Sequence, residues 1–223
     1  MADIESATGD AEVGPMGEHR TVVATLQDIT ANPGPLGLMA FGMTTVLLNI
    51  HNAGGYALNS MILAMGIFYG GIAQVIAGIM EWKKNSTFGM TAFLSYGLFW
   101  LTLVGLFVIE TIWPEEFETS ATAAGWYLLA WGVFTGLMFI ATLRINRALQ
   151  TVFLSLTVLF VLLAVGKWVG DDSLLGMTGA TWIRVAGFEG IFVGLSAVYA
   201  SIAQIWNEAY GRVVLPLGIV KKK

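Results

Sequence analysis

Phe41, Thr45, Asn49 and Asn52 recur at i, i+4, i+8 and i+11, the repeat of one helix face, and His51 lies in the same last turn. Polar groups in a bilayer are costly unless satisfied, so this stripe must face other helices or a water-filled path. A preformed set of hydrogen-bond donors does the work of recognition rather than of bond breaking. His51 can also exchange a proton near neutral pH, although it would serve equally as a hydrogen-bonded packing residue. A second stretch carries Gln74 and, seven residues later, Glu81, on one face with Gly78 between them. Glu81 adjoins Lys83 and Lys84 and is expected as a solvated carboxylate at a helix end. Gln74 lies deeper and joins Thr45, Asn49, His51 and Asn52 in the candidate substrate-binding set. Thr91, Ser95 and Thr102 beside Tyr96 form another stripe, and Trp131, Thr135 and Thr142 a further one. Their hydroxyls either bond the preceding turn or face a path. Glu189 is the one acid placed within an apolar run, five residues after Arg184, and suits an ion pair with that arginine or with another helix, or a proton relay.

The elements that must position these groups are apolar and long. The 223 residues are 56% hydrophobic and 12% charged, and the mean hydropathy of +0.73 is too high for an ordinary soluble domain. Six apolar stretches, roughly 35–56, 60–82, 87–113, 121–143, 147–169 and 179–205, each reach the approximately 20 residues needed to cross a hydrocarbon core. Most are joined by a few residues, so neighbours must run antiparallel. The fold class expected is an all-α integral membrane protein with six transmembrane helices per subunit, occupying residues 32–219. Residues 1–31 read as a disordered tail, acidic at first, in which Thr21–Ile29 is either an interfacial amphipathic helix or more of the tail; residues 220–223 form a basic terminus.

Charge sets the orientation. Arg20, Lys83, Lys84, Arg144, Arg147, Arg212 and Lys221 to Lys223 all fall on one side if both termini share it, which places nine of eleven basic residues there and predicts both termini in the cytoplasm of a multi-pass cell-membrane protein. The other side receives Lys167 and Arg184, with Glu115, Glu116, Glu118, Asp171 and Asp172. Small residues four apart, Gly66 with Gly70, Gly132 with Gly136 and Gly190 with Gly194, allow close helix approach within the bundle or between subunits.

Catalysis is disfavoured. There is no Cys, the histidines are His19 and His51 alone, and no His-Glu-x-x-His, nucleophile–base pair or cofactor fingerprint occurs. No metal and no cofactor is implied, and the scattered basic residues do not suit nucleic acid.

The first span opens with Asn32-Pro33-Gly34-Pro35-Leu36-Gly37-Leu38, where two prolines stiffen the lead-in and Pro35 suits a first helical turn. This run, followed by Met39-Ala-Phe-Gly-Met-Thr-Thr45, resembles the signature of the acetate uptake transporter family, which includes bacterial succinate–acetate permeases and fungal acetate transporters. Leu48-Asn-Ile-His-Asn52, Gly66-Ile-Phe-Tyr-Gly-Gly-Ile-Ala-Gln74, Ser95-Tyr96, Trp131-Gly-Val-Phe-Thr135, Ser155-Leu-Thr-Val-Leu-Phe160 and Gly211-Arg-Val-Val-Leu-Pro216 extend the likeness, which is nearer to the bacterial permeases. The resemblance marks Asn32, Pro33, Pro35 and Gly37 as family-motif residues. It implies six spans, a homohexamer with a separate path in each subunit, acetate as main substrate with succinate as a second, and a hydrophobic constriction at Phe41, Tyr96 and Leu156. It leaves open whether the protein is a channel or a proton-coupled permease. The chain departs from the pattern at Gly34, where alanine is commoner, in its long tail before Asn32, and at Glu189. A channel for a small neutral or other solute such as urea or ammonia is the alternative on the same scaffold; a membrane enzyme or sensor is a third reading. No Lys or Arg lies mid-span, so neutral donors must offset the desolvation of an anion.

Overall fold

The computed structural model describes residues 30–221; residues 1–29 of the expected tail, with the alternative helix over 21–29, lie outside them, as do Lys222 and Lys223. Six long helical segments follow one another: α1 (Gly34–Asn52), α2 (Ser60–Lys83), α3 (Thr87–Ile112), α4 (Ala121–Thr142), α5 (Arg147–Val169) and α6 (Gly179–Ala209). The starts of α2 to α6 are set by side chains that satisfy orphan first-turn amides: Asn59, Ser86, Ser120, Asn146 and Thr178 each accept from a backbone N–H two or three residues on. At α1 Pro35 takes that place, having no N–H to satisfy.

Helices α2 to α6 are long and apolar enough to cross a membrane. Large apolar side chains such as Phe68, Trp126, Leu137 and Phe188 point outward from them, which defines a multi-pass membrane protein. Helix α1 has 19 residues, about 28 Å of rise, and ends in the polar group Asn49, His51 and Asn52, which lowers its hydropathy below that of the others. It stops at Asn52, earlier than the expected boundary at 56, and the chain turns at Gly54 with φ +93°. Helix α6 runs four residues further than expected, to Ala209. A hairpin of β1 (Ser173–Leu174) and β2 (Met177–Thr178), turning through Leu175 and Gly176 with φ of +54° and +75°, precedes α6 and was not expected.

Packing runs α3–α2–α1–α6–α5–α4, and α3 meets α4 through side chains that close the ring. The α1–α6 crossing is tight: a Cβ on Gly42 would lie 2.7 Å from the Gly194 carbonyl oxygen and one on Gly194 equally close to the Gly42 carbonyl. The paired glycines of the sequence all pack inside the bundle: Gly190 and Gly194 against α1, Gly66 and Gly70 against α3, Gly132 and Gly136 against α5. Within α2, Met65–Ala73 forms wide π-type turns, which shift the face presented by the residues beyond them, beginning with Gln74.

After α6 the chain folds back. Asn207 Oδ1 accepts from the Val214 and Leu215 amides, and its Nδ2 donates to the Leu215 carbonyl. The strap then pairs with the start of α5: Arg147 and Ala148 N–H donate to Gly218 and Leu217, and Val220 N–H donates to Ile145.

Candidate functional site

At the end of the bundle where α1, α3 and α5 begin lies a cavity of about 450 Å³. Helical stripes descend into it from one end: Gly34, Leu38 and Phe41 on α1; Gly89, Ala92, Phe93 and Tyr96 on α3; Leu149, Val152, Phe153 and Leu156 on α5. Helix α2 runs the other way and contributes Glu81, then Gln74, about 10 Å deeper along its axis. Asn32, Ser86, Asn146 and Gln204 make the outer part polar, while Leu217 and Ile219 of the strap cover one side.

The Asn32–Leu38 run is fastened to α6. Asn32 Nδ2 donates to Gln204 Oε1 at 3.0 Å, Gln204 Nε2 donates to its own helix at Ala200, and Ser201 Oγ donates to the Pro35 carbonyl at 2.6 Å. Asn32 Oδ1 accepts the Gly34 amide, so the asparagine also caps the turn leading into α1. Pro33, Pro35 and Gly37 are buried, and a Cβ on Gly37 would strike the Phe93 ring. The motif is thus the clip that sets the rim of the cavity.

Deepest in the cavity stand Phe41, Gln74, Tyr96 and Leu156, all buried. The Phe41 and Tyr96 rings lie 5.8 Å apart, and Tyr96 also packs on Phe134 and Phe153. The Tyr96 hydroxyl donates to Thr135 Oγ1 at 2.9 Å, and Thr135 donates onward to the Trp131 carbonyl. The tyrosine is therefore held from behind, its ring left as wall. Gln74 is 1% exposed, and its Oε1 has no hydrogen-bond partner. Past this layer Thr44 and Trp100 meet around Gly70, one turn from Gln74; Thr44 Oγ1, Thr45 Oγ1 and Trp100 Nε1 are likewise buried without partners. Orphan polar atoms cost about 1–3 kcal/mol each, so a water or a passing solute has work to do there.

The expected substrate-binding set is divided. Gln74 lines the cavity; Thr45, Asn49, His51 and Asn52 do not. Asn49 is enclosed against Gly190 of α6, donates Nδ2 to the Thr45 carbonyl and accepts from Asn52 Nδ2. His51 Nδ1 donates to the Tyr56 carbonyl at 2.8 Å, folding the loop after α1 back onto that helix. Thr102, Thr135 and Thr142 donate to carbonyls of their own preceding turns. The ion pair expected between Arg184 and Glu189 is not formed. Five residues at 100° each leave them about 140° apart around α6, and Arg184 Nε instead donates to the Ala53 carbonyl at the end of α1. Glu189 is half-buried.

The expectation for Glu81 is corrected. It is 7% exposed and lines the cavity, rather than lying solvated at a helix end. Its i+7 spacing from Gln74 was the available signal, and the neighbouring lysines obscured it.

An apolar bundle enclosing a polar-mouthed cavity that stops at an aromatic layer is the architecture of a membrane transport protein, and comparison with known proteins narrows the class. The GPR1/FUN34/yaaH family model matches residues 17–219, and the chain belongs to that family. It is 53% identical to the succinate-acetate/proton symporter SatP of Escherichia coli K12 over 84% of this chain and 95% of that protein. It is 34% identical to acetate permease A of Emericella nidulans over 84% of this chain and 65% of that one. The solved structure of the bacterial acetate channel SatP superposes with a TM-score of 0.78 at 53% identity, covering 85% of this chain and 99% of the other.

Proposed function

We propose that this chain carries acetate, and succinate as a second substrate, across a cell membrane through a path inside each subunit. The observation that carries the reading is the cavity: a polar mouth, apolar walls, and one unpartnered buried amide, Gln74, beside a layer of Phe41, Tyr96 and Leu156. The E. coli and E. nidulans relatives, named for acetate transport, support the substrate class. Phe41, Tyr96 and Leu156 act as the constriction, keeping the path narrow and nearly dry against water and hydrated ions. Gln74, Thr44 and Thr45 meet the substrate's carboxyl group there. Asn49 and Asn52 hold the α1–α6 contact behind them, and His51 fixes the adjoining loop.

Helix α1 is the sixth span in this reading, its polar end tolerated because Asn49 is hydrogen-bonded against α6. The count of nine basic residues on one side supports a cytoplasmic cavity mouth and cytoplasmic termini. The outward apolar faces suit lipid and the contacts of a homohexamer. The protein moves solute rather than converting it, as its named relatives do.

Labelled acetate should enter reconstituted vesicles faster than labelled urea, and Gln74→Ala should raise the half-saturating acetate concentration several-fold. Asn49→Ala should act on stability more than on saturation. Equal entry of urea and acetate would defeat the substrate assignment, and unchanged saturation in Gln74→Ala would remove Gln74 from the site.

A further inference from the structure

Glu81 is a carboxylate in the wall of a cavity through which, on the proposed reading, another carboxylate must pass. Among the described residues, Glu81 and Tyr96 are the titratable members of that wall, and no Lys, Arg or His lines it. Each neighbouring element presents Glu81 with uncharged groups. From α1 comes Gly34, where a Cβ would lie 3.6 Å from Glu81 Oε1. From α6 comes Gln204, already committed to Asn32 and Ala200. From α3 come the cap Ser86 and the first turn at Gly89, where a Cβ would collide with the carboxylate. The carboxylate accepts no hydrogen bond from a described residue. Lys83 and Lys84 follow at the end of the same helix, outside the cavity wall, and Arg147, beside Asn146, donates Nη1 to Gln150. The α3 N-terminus tolerates one negative charge at Glu81. It does not supply a second for an incoming anion. Two carboxylates meeting in one enclosed site whose described lining holds no cation repel one another; sharing a proton removes that repulsion.

We propose that Glu81 is the proton-exchanging group of the transport path, so that the substrate crosses the Phe41–Tyr96–Leu156 layer as the neutral acid. In the inward direction, acetic acid passes the layer and gives its proton to the Glu81 carboxylate. Acetate leaves through the polar mouth, and the Glu81 carboxyl then releases the proton to water on the same side. In the outward direction the steps reverse: Glu81 takes a proton from the mouth, donates its O–H to bound acetate, and returns as carboxylate when acetic acid departs. One proton moves with each acetate, and Glu81 ends unchanged.

The inference rests on the acetate reading, and the experiment separates the two. In vesicles, Glu81→Gln should lower labelled-acetate flux about tenfold or more at pH 7, and the deficit should shrink severalfold at pH 5, where more substrate arrives already protonated. Glu81→Asp, which keeps a proton site, should recover part of the flux at pH 7. A deficit in Glu81→Gln equal at both pH values, or none, overturns the assignment. Infrared difference spectra of the wild-type protein give a second measurement that does not depend on the variant assembling. Acetate at pH 7 should induce a protonated protein carboxyl band that does not shift when the acetate carboxyl carries ¹³C; absence of that band also overturns it. A wild-type protein that moves no acetate would instead defeat the transport reading itself.

Discussion

Phe41→Ala tests the constriction most directly. The ring is 5% exposed, packs on Tyr96 at 5.8 Å, and stands between the 450 Å³ cavity and the orphan polar atoms of Thr44 and Thr45. Replacing a buried Phe by Ala costs about 3–5 kcal/mol in a closed core. Here one side of the ring already borders the cavity, so the loss should fall at the lower end, about 3 kcal/mol. The effect on selectivity is estimated separately. A pocket that holds a substrate closely discriminates against one extra methylene by about 1–3 kcal/mol, some 10- to 200-fold. With the ring gone that penalty should largely vanish for the first added methylenes. Flux of propionate and butyrate relative to acetate should therefore rise about tenfold or more. Vesicle uptake of the three labelled acids, with a thermal-shift measurement on the same preparation, reads both numbers. A variant that keeps the original size preference with undiminished flux would remove Phe41 from the gate. A variant that assembles but conducts nothing would show that the ring organises the path rather than narrowing it.

Tyr96→Phe keeps the ring and deletes its hydrogen bond to Thr135, so it should cost about 1 kcal/mol of stability and leave size selectivity unchanged; altered selectivity would give the hydroxyl a role in the path. Because the chain has no native cysteine, single ones can be placed directly at exposed sites: Lys83→Cys should be labelled from the cytoplasmic side only and Glu116→Cys from outside only, and the reverse pattern would invert the orientation. Gly194→Ala puts a methyl 2.6 Å from Val46 Cγ2 and 2.7 Å from the Gly42 carbonyl, and should lower stability by about 1–3 kcal/mol. Gly105→Ala, with nothing within 4 Å, should be neutral or raise it by up to about 1 kcal/mol; similar thermal shifts for the two glycines would contradict the tight α1–α6 crossing.

The spans were legible because length and hydropathy alone decide which segments lipid will accept; the caps Asn59, Ser86, Ser120, Asn146 and Thr178, which fix the helix starts, came from the structure. The family resemblance named Phe41, Tyr96 and Leu156 together, and the helical stripe placed Gln74 deep in its span; the structure lines one cavity with all four. What sequence could not supply was the neighbour at each level of a face. Thr45, Asn49 and Asn52 continue the stripe of Phe41, yet the cavity ends at the Phe41 ring, and about two turns further on Gly190 of α6 brings its backbone against Asn49 and fills the space where a substrate would have been expected. A periodic stripe fixes direction around one helix axis and says nothing of how closely the facing helix approaches; that distance is set by a glycine about 140 residues away. The wide turns over Met65–Ala73 have no periodic signature either, and a strap such as Tyr210–Lys221 becomes part of the site only once Asn207 and the start of α5 have bent it across the mouth. Glu81 makes the same point from the side of charge. Two adjacent lysines argued for water, but Gly34 and Gly89 let neighbouring helices close over the carboxylate, so that burial, which a linear pattern cannot show, decides what the residue can do.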